Sequence, residues 1–200
     1  MVAFVAGLAQ NEDTADILHF LSGRREALDS LVLRHKDRIY NLCYRLMGDE
    51  NDAEECAQET FIKVFRSLGQ FRLESSFSTW LYTIAVNTCK NKRNSAEHRF
   101  WKRILRIGPR PEEEDDVPPD FEIEDAAPSV LEQITEHERN SLLQEAIDSL
   151  PQDQRTVIVL RHIEELSYEE ICSITGLNLG TLKSKLARAR MQLQKKLQGA

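Results

Sequence analysis

Apolar side chains recur every three or four positions along most of this chain, the spacing that places them on one face of an α-helix. In the first half, one such series is Leu28, Leu31, Val32, Ile39, Leu42, Cys43 and Leu46, and the next is Ala57, Phe61, Val64, Phe65 and Leu68. A short connection then leads to a helix from about Phe77 to Asn94. We predict an all-α protein with four or five helices in its first half.

Polar residues, glycines and a proline predict where these helices begin and end. Gly48 and Gly69 follow the first two apolar series and are expected to end those helices. Asp52 is expected to cap the helix that starts between them. In the second half, Pro151 is expected to break one helix and open the next, because proline fits the first turn.

The C-terminal segment has the layout of a helix-turn-helix. Ser167-Tyr-Glu-Glu170 predicts a capping box, Gly176 ends that short helix, and a second helix starts near Leu179. Five residues of the second helix share the core side (Leu182, Leu186, Ala189, Leu193 and Leu197), and the opposite side carries Thr181, Ser184, Ala187, Arg188 and Met191. In a major groove, Ser184 and Arg188 would read base edges, while the flanking Lys183, Lys185 and Arg190 would contact phosphates.

Charge is distributed unevenly, which changes the meaning of the net charge of −7. Residues 24–106 hold sixteen basic and eleven acidic residues, residues 112–125 hold nine acidic and no basic ones, and six basic and no acidic residues follow Glu170. Five of the six prolines lie between Pro109 and Pro128, where no apolar periodicity survives. We therefore predict one domain at 10–106, a flexible acidic linker at 107–129 and a second domain at 130–200.

A basic helix at a C-terminus also fits an ordinary solvated face, so charge alone does not decide for DNA binding. The capping box, the glycine turn and the loss of acidic residues after Glu170 favour DNA binding. The helix from Phe77 is similarly ambiguous. Thr83, Asn87, Lys90, Asn91 and Asn94 line one of its faces and suit nucleic acid, but its aromatic residues also fit a protein core.

Catalytic and metal-binding motifs are missing from the sequence. The cysteines (Cys43, Cys56, Cys89 and Cys172) form no Cys-x-x-Cys pair, so we expect free thiols in a reducing cytoplasm. There is no glycine-rich phosphate loop or nucleophile elbow, and the five histidines are scattered. The longest uncharged run, 75–89, is too short and polar for a bilayer. We expect no enzyme activity, no cofactor, no metal and no membrane insertion.

Several motifs, in order and at matching spacing, resemble the sigma-70 family of bacterial RNA polymerase sigma factors. Asp52–Phe65 looks like region 2.2 and Phe71–Asn87 like regions 2.3 and 2.4. Leu150-Pro-x-x-x-Arg155, Ser167-Tyr-Glu-Glu-Ile171 and Gly180–Arg190 look like region 4. The acidic, proline-rich segment stands where larger members carry an extra folded region, which points to the extracytoplasmic-function group.

This resemblance implies site residues by position. A coiled coil on the largest subunit of core RNA polymerase would be contacted by Asp52, Glu55, Gln58, Glu59 and Phe61, although a solvated helix face is the alternative. The −10 promoter element would be contacted by Arg72, Ser75, Ser76, Trp80, Asn87, Lys90 and Asn91. The −35 element would be contacted by Thr181, Lys183, Ser184, Lys185, Arg188 and Arg190.

Two of the site assignments implied by the resemblance stay open. The loop from Arg72 to Ser76 would hold a base flipped from the non-template strand, whereas larger members stack an aromatic residue at the position of Trp80. Family members often carry arginine where this chain has Lys183 and Lys185, and lysine does not make the same bidentate contact. The role of Trp80 and the preferred −35 bases therefore remain undetermined by the sequence.

The resemblance also implies partners: the coiled coil and flap of core RNA polymerase, promoter DNA, and an anti-sigma protein, often a membrane-bound one. Two small DNA-binding domains on a tether would bind weakly alone and tightly when one polymerase holds both. The rival hypothesis is a helix-turn-helix regulator that acts without core polymerase. It accounts for the C-terminal helices but not for the motifs at 52–87.

Overall fold

The computed structural model describes residues 2–104 and 136–198, and these form eight α-helices with one 3-10 turn. The first half contains α1 (Val2–Leu21), α2 (Ala27–Met47), α3 (Glu50–Ser67), the 3-10 turn (Leu68–Gln70) and α4 (Phe77–Ile104). The second half contains α5 (Glu136–Asp148), α6 (Gln152–His162), α7 (Tyr168–Thr175) and α8 (Leu179–Gln198). These two ranges contain no β-strand, and the all-α prediction is confirmed. The predicted linker at 107–129 lies outside them.

Helix α2 is the centre of the first half and packs on α1, α3 and α4. Its predicted apolar face is buried, with Leu31, Ile39, Leu42, Cys43 and Leu46 in the core. Gly48 ends it as predicted, in a left-handed conformation with φ of 75° that favours glycine.

Two predicted helix ends in this half are displaced. The N-cap of α3 is Asp49, whose carboxylate accepts from the Asp52 amide at 2.9 Å, so Asp52 lies inside the helix and is not its cap. Helix α3 ends at Ser67 and Gly69 lies in the 3-10 turn. Helix α4 begins at Phe77 as predicted, with Ser76 Oγ accepting from the Thr79 amide at 3.1 Å, but it runs ten residues beyond the predicted end.

The second half contains the predicted helix-turn-helix in α7 and α8. Ser167 and Glu170 form the capping box in both directions, and Gly176 ends α7 with φ of 72°. Asn178 Oδ1 accepts from the Thr181 amide at 2.8 Å and so caps the start of α8. On the core side of α8, Leu182, Leu186 and Ala189 are buried, Leu193 is half-buried, and Leu197 is exposed.

The two halves pack against each other, a contact that the sequence did not predict. One buried apolar cluster extends through both, with α4 on α7 and α2 on α6. Arg155 of α6 is only 2% exposed and donates to the Leu46 carbonyl of α2 at 3.0 Å. It also donates to the backbone carbonyl and the carboxylate of Asp148 in its own half. Burial, with the positive charge of Arg93, lowers the pKa of Arg155 to about 10.

Glu164 forms a second polar contact between the halves. Its side chain is 5% exposed and accepts from Arg38 Nε at 2.8 Å and from the Tyr82 hydroxyl at 2.5 Å. Burial and the adjacent Glu164 charge raise the pKa of Tyr82, which keeps the phenol protonated as a donor. The carboxylate is thus buried only because donors from α2 and α4 satisfy it.

Replacing Arg155 with Met should destabilise the fold because it removes charged hydrogen bonds across the junction while keeping an apolar stem. We expect R155M to lose about 3 kcal/mol of the free energy of unfolding in urea titrations. Asp153→Asn is the matched control, since it removes an exposed ion pair with Lys185 and should cost less than about 1 kcal/mol. Equal stability of R155M and wild type would show that the Arg155 contacts do not hold the halves together.

Candidate nucleic-acid and polymerase interfaces

The outer face of α8 is open along the predicted DNA-binding residues. Lys183 and Arg190 are exposed, whereas Thr181, Ser184, Lys185 and Arg188 are half-buried. Ser184 Oγ donates to the Thr181 carbonyl at 2.9 Å, so its hydroxyl already has an acceptor within the helix. Thr181, Ser184 and Arg188 therefore lie on the side of α8 opposite the core, and Lys183, Lys185 and Arg190 lie on its two flanks.

Two flanking cations of α8 are held by partners on α6. Lys185 Nζ lies 3.0 Å from the Asp153 carboxylate, and Arg190 Nε donates to His162 Nε2 at 3.2 Å. Burial, followed by the charges of Arg190 and Arg161, lowers the pKa of His162 and favours the neutral imidazole that can accept. Both contacts are on the surface, so phosphate oxygens can replace them at little cost.

The predicted −10 loop runs between two buried aromatic residues, Phe71 and Phe77. Arg72 and Ser75 are exposed, and Ser76 is half-buried as the α4 cap. The Trp80 ring lies 4.9 Å from that of Phe71 and 5.9 Å from that of Phe77. Trp80 is half-buried and packs with both aromatic residues that flank the loop.

A shallow groove of about 380 Å³ lies between α3 and α4, beside the predicted −10 residues. It is lined by Lys63, Arg66, Ser67, Ile84, Asn87 and Thr88. Of these, only Asn87 was predicted as a site residue, and Lys90 and Asn91 lie exposed farther along α4. Lys63 Nζ contacts Thr88 Oγ1 at 3.0 Å, which holds the lysine across the groove. The spacing of Lys63 and Arg66, one turn apart on α3, was the available signal for this groove.

The predicted polymerase-binding residues follow the outer face of α3. Glu55, Gln58 and Glu59 are exposed, while Asp52 and Phe61 are half-buried. Asp52 and Glu55 both contact Lys92 of α4, at 2.8 and 2.5 Å. Although partial burial lowers it, these hydrogen bonds hold the pKa of Lys92 above its ordinary value. The acidic face is thus fixed in place by a cation from the next helix.

Two apolar residues on α3 are exposed beside this acidic face. Ile62 is 49% exposed, and Phe65, which the apolar pattern placed in the core, is 47% exposed with its ring 6.0 Å from Phe20. Acidic and apolar side chains side by side are typical of a surface that binds another protein. The apolar pattern placed Phe65 in the core because it lies four residues after Phe61, and it left out Ile62 because that residue lies on the side of α3 opposite the buried residues.

Three cysteines, Cys43, Cys56 and Cys89, are buried free thiols where α2, α3 and α4 meet. The hydrogen bond with Cys89, together with burial, raises the pKa of the Cys56 thiol, which keeps it protonated. Among the described residues, no group of three or more acidic, histidine or cysteine side chains could hold a metal ion. The described helices also include none that is long and apolar enough to cross a membrane.

Lowering the pH from 7.5 to 5.5 should destabilise the chain partly through His162. Its folded pKa lies below the unfolded value, so the unfolded state takes up the proton first and stability falls as the pH drops through about 6.5. We expect His162→Gln to lose less stability over this range than wild type, measured by urea titration at each pH. Identical slopes for wild type and H162Q would contradict this role.

Comparison with known proteins places both halves in one family. The family model for sigma-70 region 2 matches residues 31–99, and the model for sigma-70 region 4 matches residues 141–193. The RNA polymerase sigma-H factor of Pseudomonas aeruginosa is 36% identical, with 96% of each chain covered. The ECF RNA polymerase sigma factor SigW of Bacillus subtilis is 35% identical, covering 88% of this chain and 91% of the relative.

The fold also matches a solved structure of the same kind. This is the sigma factor RpoE in complex with the anti-sigma factor NepR from Bartonella quintana. The TM-score is 0.61 at 23% identity, covering 85% of this chain and 96% of the other. At this identity the likeness concerns the fold alone, and it extends over both halves.

Proposed function

The chain belongs to the sigma-70 family of RNA polymerase sigma factors, in its extracytoplasmic-function group, and from that premise we propose how its two halves divide promoter recognition. The protein binds core RNA polymerase and directs promoter-specific initiation of transcription. The second half would contact the −35 element through α8, and the first half would contact the −10 element and the polymerase. This assignment of roles rests on one observation: the chain matches both sigma-70 region 2 and region 4, and the region 4 half has a basic helix, α8, at its surface.

At the −35 element, α8 would enter the major groove with the face that carries Thr181, Ser184 and Arg188. Lys185 and Arg190 would exchange Asp153 and His162 for phosphate oxygens. Since both present contacts are on the surface, phosphate oxygens would replace them at little cost, and Arg190 would gain a charged acceptor in place of a neutral imidazole. Ser184 would turn its hydroxyl from the Thr181 carbonyl toward a base.

At the −10 element, the groove and the loop would act together on separated strands. Arg66, together with Lys63 once it leaves its ion pair with Glu59 at 2.8 Å, would supply positive charge for the phosphates, and Asn87 would supply both a donor and an acceptor for a base edge. The exposed loop at 72–76 would take up the flipped base. Trp80 packs on Phe71 and Phe77, the residues on either side of this loop, and these contacts favour a structural role over stacking on the base.

Polymerase docking would use the acidic face of α3 together with Ile62 and Phe65. Apolar area supplies affinity and the carboxylates supply orientation, a division typical of protein interfaces. Family membership also favours a protein that is not an enzyme and works in the cytoplasm with the polymerase.

Bound to a promoter, the two halves would have to separate. The −35 and −10 elements are named for their positions in base pairs, so they lie about 25 base pairs apart, which is about 85 Å along B-DNA. A compact body of 200 residues has a radius of gyration of about 16 Å and a diameter of about 45 Å. The closed arrangement therefore cannot reach both elements, and core polymerase would open it.

Purified protein should bind promoter DNA poorly alone and tightly once core polymerase is added. Run-off transcription with core enzyme on a randomised promoter library would select the two elements, and filter binding with and without core would give the affinities. We expect at least a hundredfold gain with core, within the range for linked binding sites. Equal affinity without core would favour the helix-turn-helix regulator.

Two substitutions in α8 should separate phosphate contact from base recognition. Lys183→Ala should weaken binding to all promoters alike and lower the salt dependence by about one counterion, whereas Arg188→Ala should relax preference at one −35 position by about 1–3 kcal/mol. Both would be measured as holoenzyme binding to −35 variants across a salt series. Uniform loss with both variants would contradict the assignment of Arg188 to a base.

An anti-sigma protein is the expected inhibitor, since RpoE from Bartonella quintana, which shares this fold, was solved with one. Such a partner would bind the closed arrangement and compete with core polymerase. Competition between core polymerase and a candidate partner, followed by gel filtration, would test this, and simultaneous binding would count against it.

A further inference from the structure

We infer that Asp13 of α1 and His35 of α2 position the −10 loop, an inference that rests on the proposed role of that loop. Asp13 precedes the residues matched by the region 2 family model, which begin at residue 31. Its carboxylate is only 3% exposed. The sequence singled out neither residue as part of a site.

Asp13 fixes His35 in one orientation. Both carboxylate oxygens lie 3.0 Å from His35 Nε2, and Arg34 Nη1 donates to Oδ1 as well. Because a carboxylate only accepts, Nε2 carries the hydrogen and the ring cannot flip without losing its bond. A buried carboxylate held by two donors makes this pair a rigid support.

His35 in turn contacts the start of α4 and restrains it. Its ring packs edge-on against Phe77, with the centroids 5.3 Å apart. Phe77 is buried and follows the loop directly, and Phe71 is buried immediately before the loop. The rings of Phe71 and Phe77 are 6.1 Å apart, so together they fix both ends of residues 72–76.

The loop needs such support because it has little of its own. Arg72, Leu73, Glu74 and Ser75 are exposed. Leu73 has a φ of 57°, a left-handed conformation that is unfavourable for a branched side chain. A pocket that must receive a flipped base requires a fixed shape. Here that shape would be fixed by Phe71 and Phe77 and, through Phe77, by His35 and Asp13.

His35→Gln tests this route, because the Gln amide can keep a donor near the Nε2 position while the ring that contacts Phe77 is lost. The measurement is the rate of open-complex formation by holoenzyme on a promoter selected by wild type and on its single-base variants. The discrimination ratio between them does not depend on the fraction of active protein. Ser75→Ala identifies the −10 position that the loop contacts.

At that position a wrong base should lower the wild-type rate by about 5- to 150-fold. We expect H35Q to reduce this discrimination by about threefold or more and to leave discrimination at −35 positions unchanged. Asp13→Asn should act in the same direction, because its amide hydrogens would face Arg34 and His35. Asp16→Asn is the matched control, since it removes another partner of Arg34, at 2.9 Å, and should leave the ratio unchanged.

Unchanged discrimination by H35Q, with a change caused by Ser75→Ala, would overturn the inference while the proposed function stands. An equal loss at −10 and −35 positions would also overturn it, because that result indicates general destabilisation. If Ser75→Ala alters no −10 position, the proposed role of the loop fails, and the inference fails with it. If D13N does not fold, the H35Q ratio decides.

Discussion

Two buried charged side chains, Glu164 and Arg155, determine how the halves of this protein meet. A charge removed from water is tolerated only with close partners, and the donors for Glu164 and the Leu46 carbonyl for Arg155 come from the other half. A shift in the docking would remove the donors of Glu164 and the Leu46 acceptor of Arg155, which would keep only its contacts with Asp148. These polar contacts therefore favour one docking register, although the apolar surface between the halves could tolerate several.

The same contacts also make the closed arrangement easier to open than a purely apolar junction. Buried ion pairs contribute little net stability, because water solvates the separated charges well. Arg38 is already half-exposed in the closed arrangement, so hydration of the Glu164 pair can begin before the halves part. We propose that core polymerase binds only the open form. Its binding free energy would then have to offset mainly the apolar contacts between the halves.

Closure leaves the candidate binding residues at the surface. Lys183 on α8, Asn87 on α4 and Glu55 on α3 are all exposed while the halves are docked. The restraint on the proposed DNA binding is therefore geometric: each surface is available, but the two are too close together for both promoter elements.

Local features of this fold were predictable from the sequence, and contacts between distant segments were not. The apolar face of α2, the glycine ends at Gly48 and Gly176 and the Ser167 capping box each depend on residues within one or two helical turns. Arg38 and Glu164 are 126 positions apart, and Arg155 binds a backbone carbonyl, which has no signature in a sequence. For the same reason the candidate site was foreseen as separate helix faces, while the closing of the groove by α4 beside Lys63 and Arg66 and the contact of Asp13 with His35 depend on packing between helices.

The pairing of surface cations explains how an acidic chain can still present a DNA-binding helix. Lys185 and Arg190 are held by Asp153 and by a neutral His162, one acidic and one uncharged partner. In water such contacts are weak, whereas the phosphates beside a DNA groove that holds α8 would offer charged acceptors in a partly desolvated interface. The balance therefore shifts toward DNA only when the helix is already held against the groove. Affinity on this face thus depends on placement by a larger assembly more than on the net charge of the chain.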